Sequence, residues 1–408
     1  MKSKFLRLKY GCYAAGLSMA VVAYLSPLLF LTFREMYGLS YTQLGLLVVI
    51  NFCTQLLADL AISFFPQFFK IPKITRATQS LTLVGFIIYA LWPTFFPETA
   101  YVGLALGTVL FCAGTGFTEV LTTPIISAAF PENADREVSK LHSMYAWGVT
   151  GMTLIFTGFL WLFGAENWQW MVGILCLVPL TSYILYRGAE FPEMDMGGGA
   201  SRQQGGNRGL WKCVLMIFLA GAAECTMAQW SSGYLEQALG IPKLWGDIFG
   251  VAMFSLLLGI GRTAYARKGG DIYPVLIWGT AGAAVCYLVA AVTSTPLVAL
   301  LACVVTGLCV SMLWPGSLIA ATERFPKAGI LLFALMAAGG DLGASLGSQL
   351  VGSVTDALMI DGSFMELAAG QGVTPEQLAM KTAMLIGMLF ALCALPFLLY
   401  MRKESRKQ

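Results

Sequence analysis

The chain has 408 residues, of which 57% are apolar and only 12% charged, with 25 Lys and Arg against 22 Asp and Glu. A soluble globular chain carries about a quarter charged residues, and a mean hydropathy of +0.73 leaves too little polar surface to keep a fold of this length in water. Soluble enzyme, disordered chain and fibrous repeat are excluded, and a protein embedded in a bilayer remains.

A hydrocarbon core of about 30 Å needs about 20 apolar residues per helix. Taken in chain order, runs of that length fall at 11–33, 41–66, 77–96, 101–129, 140–163, 168–186, 211–235, 245–266, 272–293, 296–322, 328–357 and 378–401, which makes twelve. Short polar turns such as Phe96-Pro97-Glu98-Thr99 and Gly164-Ala165-Glu166-Asn167 separate them. The first run is too long for a secretory leader and no small-residue cleavage site follows it, so it is read as a span. The ten cysteines all fall inside apolar runs without a CxxC pair and are read as small buried hydrophobes. With His142 the only histidine, no structural zinc is expected.

The basic residues report orientation. If the N-terminus is cytoplasmic, 22 of the 25 fall on the inner side and only Arg34, Lys243 and Lys381 do not. The positive-inside rule then predicts a multi-pass cell-membrane protein with both termini cytoplasmic. The longest inner loop includes Gly197-Gly198-Gly199 and Gly205-Gly206. No Gly-Lys-Ser/Thr follows and no strand precedes, so it reads as a flexible linker rather than a phosphate cradle. It divides the chain into an N-terminal six-helix bundle (1–187), a cytoplasmic linker (188–210) and a C-terminal six-helix bundle (211–408).

Ionisable groups inside spans cost about 2.5–3.5 kcal/mol or more, so each requires a reason. Asp59, Glu119, Glu224 and Asp341 qualify. Arg262 lies about a turn and a half from Lys268 and is expected to snorkel to the cytoplasm. The interior is therefore expected to hold four unpaired carboxylates and no base. That favours a neutral or cationic cargo and a coupling cation, because anion carriers place Arg or Lys at the site. For Glu119 the alternative is a protonated carboxyl bonded to a neighbouring helix, and for Asp341 and Asp59 it is a packing hydrogen bond to an adjacent helix.

Aromatic and amide side chains supply the rest of a candidate substrate site: Trp230 with Gln229, Trp147, Trp314 and Tyr24 inside spans, and Asn51 with Gln55 one turn apart. Aromatic faces with nearby amides and carboxylates suit a sugar, whose ring stacks and whose hydroxyls hydrogen-bond. Packing between helices is the competing role for any one tryptophan. Trp92, Trp161, Trp168 and Trp170, near span ends, read as interface anchors. His142 reads as a solvated interfacial group, and Arg34-Glu35 as a solvated pair or an outer gate.

The halves echo one another. Trp147-Gly148-Val149-Thr150-Gly151 follows a loop beginning Phe130-Pro131, and Gly339-Gly340-Asp341-Leu342-Gly343 follows one beginning Phe325-Pro326. Each lies one span after a run with an internal proline, Pro124 or Pro315. Along its whole length the chain resembles the major facilitator superfamily, whose six-plus-six parallel repeats bind substrate between the halves. Tyr37-Gly38-Leu39-Ser40-Tyr41-Thr42-Gln43-Leu44-Gly45 is similar to that family's entry into its second helix, while Gln67-Phe68-Phe69-Lys70-Ile71-Pro72-Lys73 departs from its Asp-Arg-x-Gly-x-Arg-Lys loop. Gly114-Thr115-Gly116-Phe117-Thr118-Glu119 with Pro124, Leu141 to Gly148, and Gly221 through Trp230 to Gly261-Arg262 resemble the fucose permease-like branch of sugar–proton symporters.

The resemblance implies an all-α membrane protein, twelve transmembrane helices as two pseudo-symmetric six-helix bundles. It assigns proton coupling to Glu119, and the branch's first-helix aspartate falls at Ala23, which leaves Glu224 as the natural substitute. The expected function is secondary active transport by alternating access, a proton-coupled symport of a sugar or similar neutral polar solute. Proton antiport exporting cationic or amphipathic compounds is the alternative. No enzymatic activity and no cofactor is expected beyond a coupling proton or sodium. The expected partners are a small-molecule substrate and the lipid bilayer, with no nucleic acid, and the expected state is a monomer.

Overall fold

The computed structural model describes residues 5–65, 68–192, 207–325 and 329–405, and every regular element among them is helical. The first half runs α1 (Leu6–Tyr37), α2 (Tyr41–Phe64), α3 (Ile71–Phe95), α4 (Ala100–Ala129), α5 (Ala134–Phe163), α6 (Trp168–Leu175) and α7 (Leu177–Arg187). The second runs α8 (Asn207–Leu239), α9 (Lys243–Trp245), α10 (Met253–Lys268), α11 (Ile272–Val292), α12 (Pro296–Val310) and α13 (Leu313–Arg324). It ends with α14 (Gly329–Met359), α15 (Gly362–Gly370) and α16 (Pro375–Ser405).

Among the described residues, ten helices are long and apolar enough to cross a membrane, and Trp147–Phe163 of α5 is a shorter apolar one. With the 31-residue α14 they account for the twelve expected spans. The helices overrun the apolar runs: α1 begins five residues before its run, because lysines and arginines extend helices as well as apolar residues do. The loop after α14 contains α15, which Asp361 starts by accepting the Phe364 N–H at 2.8 Å.

Two spans are broken, and proline explains both. A proline has no N–H for the carbonyl four residues earlier. Pro179 leaves Leu175 without its donor, and α6 ends there. Pro315 does the same to Ser311, and the span divides between Val310 and Leu313. In the eighth span a π-helical stretch, Gly246–Ala252, joins α9 to α10.

The chain separates into two compact units, residues 1–38 with 50–199 and residues 39–49 with 200–408. The cut differs from a linear division because the first turns of α2 pack with the second unit. Most of the expected linker, and the side chain of His142, lie outside the described residues.

In the first unit, Arg7 and Arg76 close the C-terminal end of α7. Arg7 donates to the Leu185 and Ile184 carbonyls at 3.1 and 2.9 Å, and Arg76 to Tyr186 at 3.1 Å. Cations at a helix C-terminus satisfy its orphan carbonyls and its dipole. Lys9 of α1 meets Glu137 of α5 at 2.5 Å, and Lys140 and Tyr13 donate to the same carboxylate at 2.8 and 2.9 Å. Burial alone would raise the Glu137 carboxyl, but the bonds from Lys140, Lys9 and Tyr13 hold it down at about 2. Glu137 precedes the apolar part of α5, which begins at Trp147.

Trp168 corrects an expectation. It is fully buried rather than an interface anchor, edge-on to Phe33 at 5.1 Å and Tyr89 at 5.9 Å. Offset aromatic contacts of this kind add to area burial. Trp161 and Trp170 remain exposed. All ten cysteines are free thiols.

Candidate functional site

In the first unit, α2 carries Asn51, Gln55 and Asp59 at spacings of four, which places them on one helix face. Asn51 and Asp59 are buried, and neither Asn51 Oδ1 nor Asp59 Oδ1 accepts a hydrogen bond among the described residues. The facing helix is α4. Gly116 removes the side chain that would collide with the Gln55 backbone, so α2 and α4 lie close together there. Gln55 Nε2 then reaches the Thr115 hydroxyl at 3.4 Å.

Glu119 comes one turn after Thr115 on α4, within the apolar stretch Pro97–Ile126, yet its side chain is exposed. A carboxylate at that depth is costly against hydrocarbon. The Asp59 and Glu119 carboxylates are close enough to repel one another. No Lys or Arg pairs with either among the described residues. Two like charges at short range in a poorly screened setting form a natural binding point for a cation, a proton included.

Behind them lies a polar chain that sequence reasoning missed. Ser18 of α1 hydrogen-bonds Gln79 of α3 at 3.3 Å, and Gln79 Nε2 donates to Thr118 of α4 at 3.1 Å, all three side chains being buried. Scattered single polar residues in apolar runs were its only signal, and their convergence depends on how the helices pack. Tyr24 is buried in α1, whereas Trp147 of α5 is 63% exposed.

The second unit overturns the expectation of an interior without bases. Arg262 Nη2 meets Glu224 Oε1 at 3.0 Å, and Arg262 Nε donates to the Ser311 carbonyl at 3.0 Å. Instead of snorkelling outward, the side chain reaches back along its own helix. Cα–Cβ bonds tilt toward the helix N-terminus, so an arginine near the C-terminal end of α10 is aimed toward the middle of the span. The Ser311 carbonyl is free to receive it because Pro315 supplies no N–H there. Both signals were present in the sequence as a proline and a helix direction. Glu224 is thus not an unpaired carboxylate, and the lack of a base at depth no longer counts against an anionic cargo.

Glu224 and Asp341 share a neighbourhood, since both carboxylates act on the thiol of Cys225. Asp341 is buried in the glycine-rich face of α14. Trp314 of α13 is half-buried and packs over Gly340, a position where any side chain would occupy the space of its ring. Trp230 and Gln229 are buried. The Trp230 indole donates to the Ser348 carbonyl at 2.9 Å and lies 6.0 Å from the Tyr41 ring, so helix packing already uses its face and its N–H. Among the described residues no group of three or more His, Cys, Asp or Glu side chains could hold a metal.

A family model described as Major Facilitator Superfamily matches residues 11–348. The chain belongs to the Major Facilitator Superfamily. Its fold is similar to that of a bacterial homolog of the human lysosomal transporter Spinster, in an inward-facing and unoccupied conformation, with a TM-score of 0.72 and 15% identity over 98% of this chain and 97% of that one. It is equally similar to the xylose transporter XylE from E. coli in an inward-open conformation, with a TM-score of 0.72 and 13% identity over 95% and 94%. The nucleoside transporter NupG gives 0.69 and 12% over 96% and 98%. No curated protein sequence matches the chain. Identities this low establish the facilitator fold and nothing finer. In this facilitator the charged groups at depth form two sets of opposite design, a bare acid pair in the first unit and a compensated pair in the second.

Proposed function

We propose that this facilitator is a secondary active transporter that couples a cation gradient, proton or sodium, to movement of a neutral polar solute such as a sugar. The observation that carries the reading is Glu119, exposed within an apolar stretch beside Asp59 and without a basic partner among the described residues. A coupling site must take up and release its cation from water, so it needs both the charge and the access. Glu119 is the principal coupling residue, Asp59 its partner, and Glu224 and Asp341 are auxiliary. Trp147, Trp314, Asn51 and Gln55 supply ring faces and amides for a hydroxylated cargo. The resemblance to sugar–proton symporters supports the symport direction. The protein works as a monomer in the cell membrane with both termini cytoplasmic.

The same base-free acidic pair also suits organic cations, which makes proton antiport of cationic or amphipathic compounds the second reading. Proteoliposomes with an imposed pH or sodium gradient separate the two. Accumulation of a neutral sugar along the cation gradient supports symport, and gradient-driven expulsion of an organic cation supports antiport. If neither panel moves above protein-free vesicles, the transport reading is wrong for both classes.

A further inference from the structure

Within the second unit, α11 and α12 are joined by a turn of three residues, so they run antiparallel and side by side. Two glycines of α11 let α12 come close. A side chain at Gly279 would meet the Cys309 carbonyl, and one at Gly282 would meet the Cys309 sulfur. Each Cα–Cβ bond tilts toward the N-terminus of its own helix. In an antiparallel pair that tilt carries Cys309 from the level of Gly279 toward Gly282, and carries Cys286 back toward Gly282. The two thiols meet across the space that Gly282 leaves free. They share a hydrogen bond, and Cys286 makes a second one with the Thr306 hydroxyl. Thr306 already donates to the Ala302 carbonyl at 2.7 Å, so it accepts from the Cys286 thiol. The Cys286 sulfur is then left to accept from Cys309.

Both cysteines are half-buried, and their chain neighbours Val285 and Leu308 are exposed, which puts the pair at the edge of an outward face. Cys303 also lies near Cys286, but it is fully buried and sits six residues before Cys309, about 120° round α12. Among the described residues no third His, Cys, Asp or Glu completes a metal site with the pair. Two thiols are neutral and so is a disulfide, so joining them brings no charge into an apolar span. The place also matters. Cys309 is next to the last residue of α12, and the helix resumes only at Leu313. Between them lies the Ser311 carbonyl that anchors Arg262. By contrast α11 is unbroken and runs beside both pieces, with Ile272 and Leu276 packed at Gly316 of α13.

We infer that Cys286 and Cys309 form a dithiol site for hydrogen peroxide and close to a disulfide that fixes the end of α12 to α11. One thiol attacks a peroxide oxygen and breaks the O–O bond, which gives a sulfenic acid and a water. The other sulfur displaces the hydroxyl group from the sulfenic sulfur, forming the S–S bond, and its proton leaves with that hydroxyl as a second water. The two thiols lose two electrons and the peroxide gains them, so the step leaves no charge behind. A small uncharged oxidant suits a site inside an apolar span, which an ionic one enters only at high cost. The bridge pins the last turn of α12, and with it the Ser311 carbonyl, beside the break. None of this rests on the transporter reading, and it is measured without any substrate.

The test treats the full-length protein in nanodiscs with hydrogen peroxide, blocks free thiols with N-ethylmaleimide in SDS, and maps the peptides by mass spectrometry. In the wild type, alkylation falls equally at Cys286 and Cys309, a cross-linked peptide joins the two, and a phosphine reductant restores both thiols. Cys286→Ala and Cys309→Ala each abolish that cross-linked peptide, and Cys303→Ala keeps it. Hydrogen exchange of the segment 304–313 falls severalfold on oxidation of the wild type and does not change in Cys286→Ala. Alkylation of both positions at the level of untreated protein would overturn the inference. So would a bridge from Cys286 to Cys303, a bridge between two copies of the chain, or sulfinic acid at either cysteine without a bridge. If the bridge forms and exchange of 304–313 stays the same, the pinning of α12 is overturned.

Discussion

The two units solve the problem of charge at membrane depth in opposite ways. The first leaves Asp59 and Glu119 beside one another with no base among the described residues, and exposes Glu119. The second binds Glu224 to Arg262 and anchors that arginine on a carbonyl freed by a proline. Counting charges along the chain made the two halves look alike, each with two acids in its spans. Only pairing distinguishes them, and a charge that has a partner does different work from one that has none.

The largest effect separates the units by function. Glu119→Gln should abolish gradient-driven accumulation in proteoliposomes while counterflow at zero gradient survives, because a neutral side chain can no longer carry the coupling charge. Glu224→Gln should reduce accumulation without abolishing it. Equal losses in the two variants would erase the distinction.

Tryptophans sharpen the comparison next. Trp230→Ala removes a fully buried ring and should cost about 3–5 kcal/mol in thermal or denaturant unfolding. Trp147→Ala, at an exposed position, should stay within about 0.5 kcal/mol and show its effect in transport instead.

Near the start of α5, outside the apolar stretch, Glu137 is a compensated carboxylate of the first unit, paired with Lys9 and Lys140. Its carboxyl lies at about 2, below the usual glutamate value near 4.3, and the difference amounts to about 3 kcal/mol at most. For a depressed carboxyl the stabilisation is complete above the ordinary value and is lost as pH falls through the window from about 4 to 2. Wild-type melting temperature should therefore drop across that window, and Glu137→Gln should flatten the drop.

A smaller effect belongs to the compensated pair. Arg262→Met leaves Glu224 without its base and should destabilise by about 1–3 kcal/mol. That is less than the about 3–5 kcal/mol of a fully buried pair, because the Arg262 side chain is 36% exposed. The double variant Glu224→Gln with Arg262→Met should recover much of the loss, a coupling that a double-mutant cycle measures. Additive losses would show that the two groups do not act as a pair.

Much of this was legible in the residues. Long apolar runs and the polar turns between them dictate helices and their approximate number, because a backbone in a bilayer must satisfy its hydrogen bonds within each segment. Asp59 and Glu119 stood out because an acid in an apolar run is expensive wherever the helix packs. Arg262 was misread because distance along the chain to Lys268 was taken as distance to water, whereas the side chain leans the other way. Trp168 was misread because a place near the end of a span does not tell which side of the helix faces a neighbour.

By itself, the sequence determined that this is a helical, multi-span membrane protein and which carboxylates lie within its apolar runs. These are local properties, set by hydropathy and by the cost of charge in hydrocarbon. Only the tertiary structure decided which carboxylate has a base, which tryptophan packs and which stays exposed, and that α2 begins in one unit and ends in the other. Those depend on contacts between residues far apart in the chain, such as Trp230 with Ser348 and Arg262 with Glu224. Such contacts exist only once the helices have packed, and no short-range pattern encodes them.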